Sequence, residues 1–462
     1  MNDPNGLVFY DGEYHLFYQY NPHGDRWGHM SWGHAVSADL ISWRHLPIAI
    51  PETEVMAFSG SAVIDWKNTS GFGRDGAPAM VAIYTGHDPK TGNQSQFVAY
   101  SNDRGRTFTR HGKVIDIGST DFRDPKVFWH EGTMRWVMAV TKAVEKKVAF
   151  YSSPDLKTWK HESDFGPTPS AKSHNWECPD LFELPVENGK PGERRWVLAV
   201  SQGSGAQDGG SGGQYFVGAF DGRKFTLEPG WNDAPHWQDL GADFYASQSW
   251  SDVPDGRRIW IAWATDLRYS RAMPTYPARG LMTLPRTVTL RREGADWRLA
   301  QAPVGELERR RGKPTRLRNV ALSDRPREIR LGDSVDMILT FDPGKSSEVA
   351  VSLTDEQGYA LVVGYTPQTR EVWVDRTRAG PHFHDSFADR NLATVPSSDD
   401  PITLRLVVDR SIVEVFAADG TRTLTSRFFR GEGKLRWTLS ARGEGAIVQS
   451  LDAWPVEPTA PF

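Results

Sequence analysis

Cysteine is nearly absent: Cys178 is the only one in 462 residues, so no intrachain disulfide can form. No histidine shares a recognisable nucleophile motif with it, and the simplest reading is a buried, inert thiol. Also missing is any apolar run long enough for a membrane-spanning helix. No signal-peptide pattern opens the chain, although its first residues already lie inside a motif, so this absence says little about export. Positive charge is not in surplus. The net charge is −4 and the densest basic run is RRR at 309–311, which gives no footing for a nucleic-acid partner. Helical periodicity is scarce as well.

What is present is a globular composition, 39% apolar and 24% charged, on a chain long enough for two or more domains. Tryptophan is abundant, with 18 copies. Indoles stack on sugar rings, but in β-rich proteins they more often fill cores. Short strand-like runs such as GLVFY, YHLFYQY, RWVMAV, KVAFYSS and RRIWIAWA are separated by Gly, Asp, Asn and Pro.

The turns repeat. Ser-x-Asp followed by an aromatic occurs in HAVSADLISWRHL (34–46), VAYSNDRGRTFTRHG (98–112) and AFYSSPDLKTWKHES (149–163), with a degenerate copy, VGAFDGRKFTLE, at 217–228. Each copy reads as strand, polar turn, strand, closed on a core by Trp43, Phe108, Trp159 or Phe225. Hairpin openings precede the copies at Asp3, Phe58, Asp124 and Cys178, and a fifth begins at Tyr245. Their spacing of roughly 55 to 68 residues and their four strands each predict a five-bladed β-propeller closing with 284–301. The first strand of each blade lines the central channel, so corresponding strand starts meet at one mouth. Asp3, Ser59, Asp124, Glu177 and Tyr245 all sit at or just before such starts. The prolines after Asp3 and Asp124 are expected to hold those acids extended.

After residue 302 the pattern changes. ELERRRGKPTRLRN (306–319) reads as a charged linker between a propeller at 1–305 and a second domain at 320–462. Long alternating segments there, such as VDMILTF and ITLRLVVDR, predict seven or eight strands in an antiparallel β-sandwich. The overall expectation is an all-β chain, a five-bladed β-propeller followed by a C-terminal β-sandwich.

MNDPNG, FSGS, FRDP and WECPDLF occur together and in this order. That ordered set resembles glycoside hydrolase family 32, the invertases, exo-inulinases and levanases. WGHAVSADLISW (32–43), DFYASQSW (243–250) and VDRSIVEVFAADG (408–420) extend the resemblance over nearly the whole chain. Within the family it is most similar to bacterial levanases and exo-inulinases. The resemblance implies the same propeller and sandwich, and release of terminal fructose from levan, inulin or sucrose with retention of configuration. On matching positions it implies Asp3 as nucleophile, Glu177 as acid/base and Asp124 as stabiliser of the transition state. Asn2, Gln19, Trp27, Phe58, Ser59 and Arg123 match positions around the bound fructosyl unit, and Tyr245 is added to them. It implies no cofactor and no metal. The partner is a fructan or sucrose-type carbohydrate, with no nucleic acid or membrane; oligomeric state is left open. An extracellular location follows from a polymeric substrate.

The chemistry asks for particular environments. An ionised carboxylate must face the oxocarbenium-like carbon and a protonated one the leaving oxygen, about 5–5.5 Å apart in a retaining enzyme. Backbone donors in the Asn5-Gly6 turn are expected to lower the nucleophile's pKa, and burial beside Trp176 and Cys178 to raise that of Glu177. Arg123 is expected to balance Asp124. Asp180 is read as a turn brace, and Asp243 and Asp266 as loop acids. The histidines at 15, 29, 34 and 45 lack metal-ligand spacing, and a zinc site around 382–387 is disfavoured. Asp266-Leu267 stands where levanases and exo-inulinases usually carry Asn-Trp, and Ala278 where a Trp is common. Both changes remove aromatic surface near the expected mouth. Two readings of the same class remain, a sucrose-restricted invertase and a fructosyltransferase. A different class is a non-catalytic fructan-binding propeller, which typically loses one of the acids.

Overall fold

The computed structural model describes every residue except 233, 398–399, 432 and 459–462. Residues 4–303 form five antiparallel sheets, each made of four consecutive strands. Their first strands are Pro4–Tyr10, Met56–Ile64, Phe122–His130, Trp176–Pro185 and Tyr245–Ser249. These touch one another in cyclic order and enclose the channel. Blade five closes on blade one through Phe9 N–H to Ser251 O and Ser251 N–H to Leu7 O, both 2.9 Å, with no strand exchanged between blades.

The sequence folds this way because neighbouring residues of a blade strand face two different blades. Leu7 packs toward blade five and Val8 toward blade two. Met138 packs toward blade two, while Val137 and Ala139 pack toward blade four. With both faces buried, strands such as RWVMAV read as unbroken apolar runs instead of alternating ones. The indoles of Trp32, Trp176, Trp250 and Trp260 are fully buried in these interblade layers.

The repeated Ser-x-Asp is a capped hairpin turn. Asp39 accepts the Ile41 and Ser42 N–H groups at 3.0 and 2.6 Å, and Asp155 accepts those of Lys157 and Thr158 at 2.9 and 2.7 Å. Asp103 and Asp221 cap their own turns through the same kind of contact. The carboxylate takes over donors that the reversing chain would otherwise leave to water.

Among its described residues the second domain holds two six-stranded antiparallel sheets, twelve strands where seven or eight were expected. Thr315–Ala321 is an edge strand paired with Ile447–Pro455, so residues 315–319, read as linker, belong to the sandwich. Met337, Leu339, Val351, Leu406 and Trp437 are among the residues filling the space between the sheets.

The sandwich is fastened to blade five by buried charge. Arg286 lies between Asp239 at 2.9 Å and Glu414 at 2.5 Å. Asp243 binds Arg376 at 2.6 Å and accepts the Arg427 N–H at 2.7 Å. Asp243 is therefore an interdomain anchor.

Candidate active site

Each first strand carries a β-bulge near its start. The pairing with the second strand slips between Asn5 and Val8, Ala57 and Gly60, Arg123 and Lys126, Glu177 and Asp180, and Tyr245 and Gln248. Four bulges contain a residue at positive φ: Gly6 (51°), Asp124 (66°), Cys178 (46°) and Ala246 (54°). Outside glycine such backbone costs roughly 1–3 kcal/mol and re-aims the side chains beside it. The extended backbone expected ahead of Pro125 is thus not what Asp124 adopts. The N–H groups freed from the ladder are taken up by the preceding blade. Asp124 donates to Thr85 Oγ1 at 3.0 Å, Cys178 to Asp124 Oδ2 at 2.9 Å, and Ala246 to Ser201 Oγ at 3.0 Å.

These bulges bring the three predicted acids together. Asp3 Oδ2 and Asp124 Oδ2 each lie 3.7 Å from Cys178 Sγ, so the two carboxylates are within twice that distance of each other. Glu177 is the residue before that cysteine. Asp3 Oδ2 accepts from Ser59 Oγ at 3.0 Å and its Oδ1 from Asn2 Nδ2 at 3.2 Å. The donors are these two side chains together with Asp3's own backbone, where the Asn5-Gly6 turn had been expected to supply them. Glu177 Oε1 accepts Arg123 Nη2 at 2.8 Å and Nε at 3.1 Å, and its Oε2 accepts the Tyr245 hydroxyl. Arg123 therefore clasps Glu177; toward Asp124 it acts only through its charge. The Trp176 ring turns away from the carboxylate and packs on Phe216, 5.6 Å between centroids.

Burial and the Glu177 charge raise the Asp3 pKa, against the pull of Asn2 and Ser59. Burial raises Asp124 to about 7; Arg123 opposes the rise and Glu177 adds to it. Three carboxylates against one guanidinium leave the cluster short of positive charge, and it retains a proton near neutrality. Burial, then the charges of the surrounding acids, hold the Cys178 thiol and the Tyr245 phenol well above their ordinary values. Both therefore stay protonated. Cys178 is a donor here, not a thiolate.

Asp180 belongs elsewhere. Fully buried lower in the channel, it pairs with Lys126 Nζ at 3.2 Å and accepts the Ser249 N–H at 2.7 Å. Among the described residues no cluster of three or more candidate metal ligands exists.

Two family descriptions match the chain: glycosyl hydrolases family 32 N-terminal domain over residues 1–303 and family 32 C terminal over 306–455. The chain belongs to glycoside hydrolase family 32. It is 41% identical over 478 residues to a levanase of Bacillus subtilis, covering all of this chain and 70% of that one. An extracellular exo-inulinase of Aspergillus awamori is 36% identical, over 96% of this chain and 90% of its own. The crystal structure of exo-inulinase from Aspergillus awamori superposes with a TM-score of 0.92 at 34% identity, covering 99% and 96% of the two chains. A β-fructofuranosidase from Schwanniomyces occidentalis complexed with fructosyl-erythritol gives 0.91 at 32% identity, over 99% and 95%.

The other residues matched by the resemblance tie the first two blades and their loops together. Asn2 donates its backbone N–H to Gln19 O at 3.0 Å, and the buried Gln19 amide reaches Ala57 O at 2.9 Å, tying blade one to blade two. Phe58 stacks on His87, 4.7 Å between ring centroids, and meets the half-exposed Trp27 edge-on at 5.7 Å. Arg279 pairs with Asp25 at 3.1 Å, joining the loop that carries Ala278 to the one that carries Trp27. Leu267, in place of the family's usual aromatic, packs like Trp263 against the small cluster of Cys178, Tyr245 and Ala246. Its neighbour Asp266 is fully buried and bound to Arg268 at 2.7 Å.

Thr85 and the joining role of Cys178 escaped the sequence reading. Nothing in the sequence marks positive φ at Asp124 or Cys178, so no local signal pointed to the Cys178 N–H or to Thr85, which accepts the Asp124 N–H.

Proposed function

We propose that this family 32 glycoside hydrolase releases terminal β-D-fructosyl units from fructans and sucrose-type fructosides by double displacement. The observation that carries the reading is the meeting of Asp3, Asp124 and the Glu177 segment at Cys178. In this reading the Asp3 carboxylate attacks the anomeric carbon. Glu177 gives a proton to the departing oxygen, leaving a fructosyl ester on Asp3. Glu177 then takes a proton from water, whose oxygen displaces Asp3 and frees fructose.

Asn2 and Ser59 fix the attacking carboxylate, while Arg123 and Tyr245 fix the acid. Asp124 hydrogen-bonds the ring hydroxyls as charge develops. The chain keeps all three acids of the resemblance, which argues against a binding-only propeller. The names of its relatives and a polymeric substrate support export from the cell.

Chromatography of the first products from levan, inulin and sucrose tests this. Free fructose ahead of any oligosaccharide is expected. Early fructo-oligosaccharides from polymer would mean internal cleavage. Turnover of sucrose alone would mean an invertase, and longer fructosides built from sucrose would mean transfer.

A further inference from the structure

A hollow lined only by sandwich residues lies away from the acids, on the outer face of the sheet that contains Glu348–Thr354, Ala360–Thr366 and Glu371–Arg378. It has a volume of about 610 Å³, within the roughly 300–1,000 Å³ of ligand pockets. Register explains the trough. Ala350 pairs with both Ser440 and Gly364, and Ser352 lies beside Val362, so small side chains fill the middle of the face. One wall is Trp373. Its indole lies over Gly364, where an added Cβ would fall 2.2 Å from the ring. The Arg390 guanidinium covers it at 3.7 Å from the centroid. Such a wall is rigid, being held from both sides.

The polar groups of the trough alternate in kind. Among the described residues, the Ser352 and Ser440 hydroxyls have no hydrogen-bond partner. Asp375 Oδ1 accepts from Thr377 N–H at 2.9 Å and Oγ1 at 2.6 Å, which leaves its second oxygen for a ligand. Across the trough Glu348 faces Arg442 at 3.5 Å. Carboxylates and guanidiniums line the same space, so a ligand of either sign meets repulsion. A neutral chain of hydroxyls finds an acceptor or a donor at each step.

We propose that this trough is a second saccharide site, holding a stretch of the fructan chain whose end is degraded in the propeller. It rests on the substrate reading above. A weak hold there raises the local concentration of chain ends at the acids without touching the reaction.

Affinity electrophoresis of the Asp3→Asn chain through gels containing levan reads polymer binding with hydrolysis removed. In that background, Arg390→Ala combined with Asp375→Ala is expected to weaken levan retardation about fivefold to tenfold, the loss of one or two hydrogen bonds. Ser440→Trp, which fills the trough and removes no charge, is expected to do the same. With Asp3 intact, both variants should keep sucrose turnover within about twofold of the parent. Unchanged levan retardation in Ser440→Trp at an unchanged Tm overturns the proposal, whatever the double variant does. A parent chain that releases fructose from no substrate would sink the reading of the propeller site, and retardation by levan would still judge the trough.

Discussion

The backbone N–H of Cys178 donates to the Asp124 carboxylate at 2.9 Å, so the peptide that follows Glu177 hangs from an acid of the preceding blade. Asp124 therefore does two things at once, placing a neighbouring acid and presenting its own charge. Asp124→Asn keeps an acceptor for that N–H and removes the charge, whereas Asp124→Ala removes both. Fructose release is expected to fall by about 10²-fold or more in Asn and further in Ala.

The same pair separates by stability. The folded Asp124 pKa is raised to about 7 from the ordinary 3.8. Below the ordinary value both folded and unfolded chains carry the proton. Between the two values only the folded chain does, so this group's contribution is lost as pH rises through the folded value. Asp124→Asn abolishes that loss. Its Tm relative to the parent should climb by a few degrees between about pH 4 and pH 8, read by calorimetry.

Asp3 and Glu177 have distinct tasks in the proposed cycle, and their variants should differ in kind. Glu177→Gln is expected to cost about 10²- to 10⁴-fold in kcat on sucrose. An activated fructoside whose leaving group needs no proton should suffer much less. Asp3→Asn should abolish turnover on both. Equal losses in Glu177→Gln on the two substrates would remove it as proton donor. Proton NMR of the first product should show the β anomer, as two inversions require.

Ser59 is a handle on the acidic limb of the pH profile. Its hydroxyl donates to Asp3 Oδ2 at 3.0 Å and pulls against the rise that burial and Glu177 impose. Ser59→Ala removes that pull, so Asp3 should take up its proton at higher pH. The acidic limb of kcat/KM is then expected to move upward by several tenths of a pH unit. A limb that stays put would show that another group controls it.

Asp180 shares a motif with Glu177 yet does structural work in the channel, paired with Lys126 at 3.2 Å where both are buried. Asp180→Ala leaves an ammonium buried without its counter-charge. The expected loss is about 3–5 kcal/mol in denaturant titration. Combining it with Lys126→Met should recover much of that, and the double variant should retain catalysis at temperatures where it is folded.

Much of this architecture was legible because it is repeated. The Asp39, Asp103, Asp155 and Asp221 turns solve one local problem in one way, and four copies of that solution mark the blades. The strand starts at Asp3, Asp124 and Glu177 followed from the period alone. What stayed hidden is what crosses between blades. Arg123 balances Asp124 by its charge as expected, but its hydrogen bonds to Glu177 stayed hidden, because such partners are set by how bulges aim side chains, and those bulges sit on Asp124, Cys178 and Ala246 with no glycine to announce them. In the sandwich, Thr315–Ala321 has the composition of a linker because it is an edge strand whose charged side chains face water. Arg327–Ile329 is simply too short to show a period.

The joint between the domains gives the last prediction. Arg286, on the third strand of blade five, is fully buried between Asp239 and the sandwich residue Glu414. Glu414 Oε1 also accepts the Leu284 N–H at 2.7 Å. Burial raises the Glu414 pKa against the attraction of Arg286, so the fold bears a desolvation cost that only the complete network offsets. Glu414→Ala leaves the buried guanidinium with Asp239 as its one counter-charge among the described residues and should cost about 3–5 kcal/mol. Replacing the pair together, Arg286→Met with Glu414→Leu, should cost far less, because apolar groups bring no such charge into the joint. If Glu414→Ala leaves the unfolding midpoint unchanged, the joint is held by its backbone bonds, such as Leu240 N–H to Thr423 O at 2.8 Å, and the ion network only sets its register.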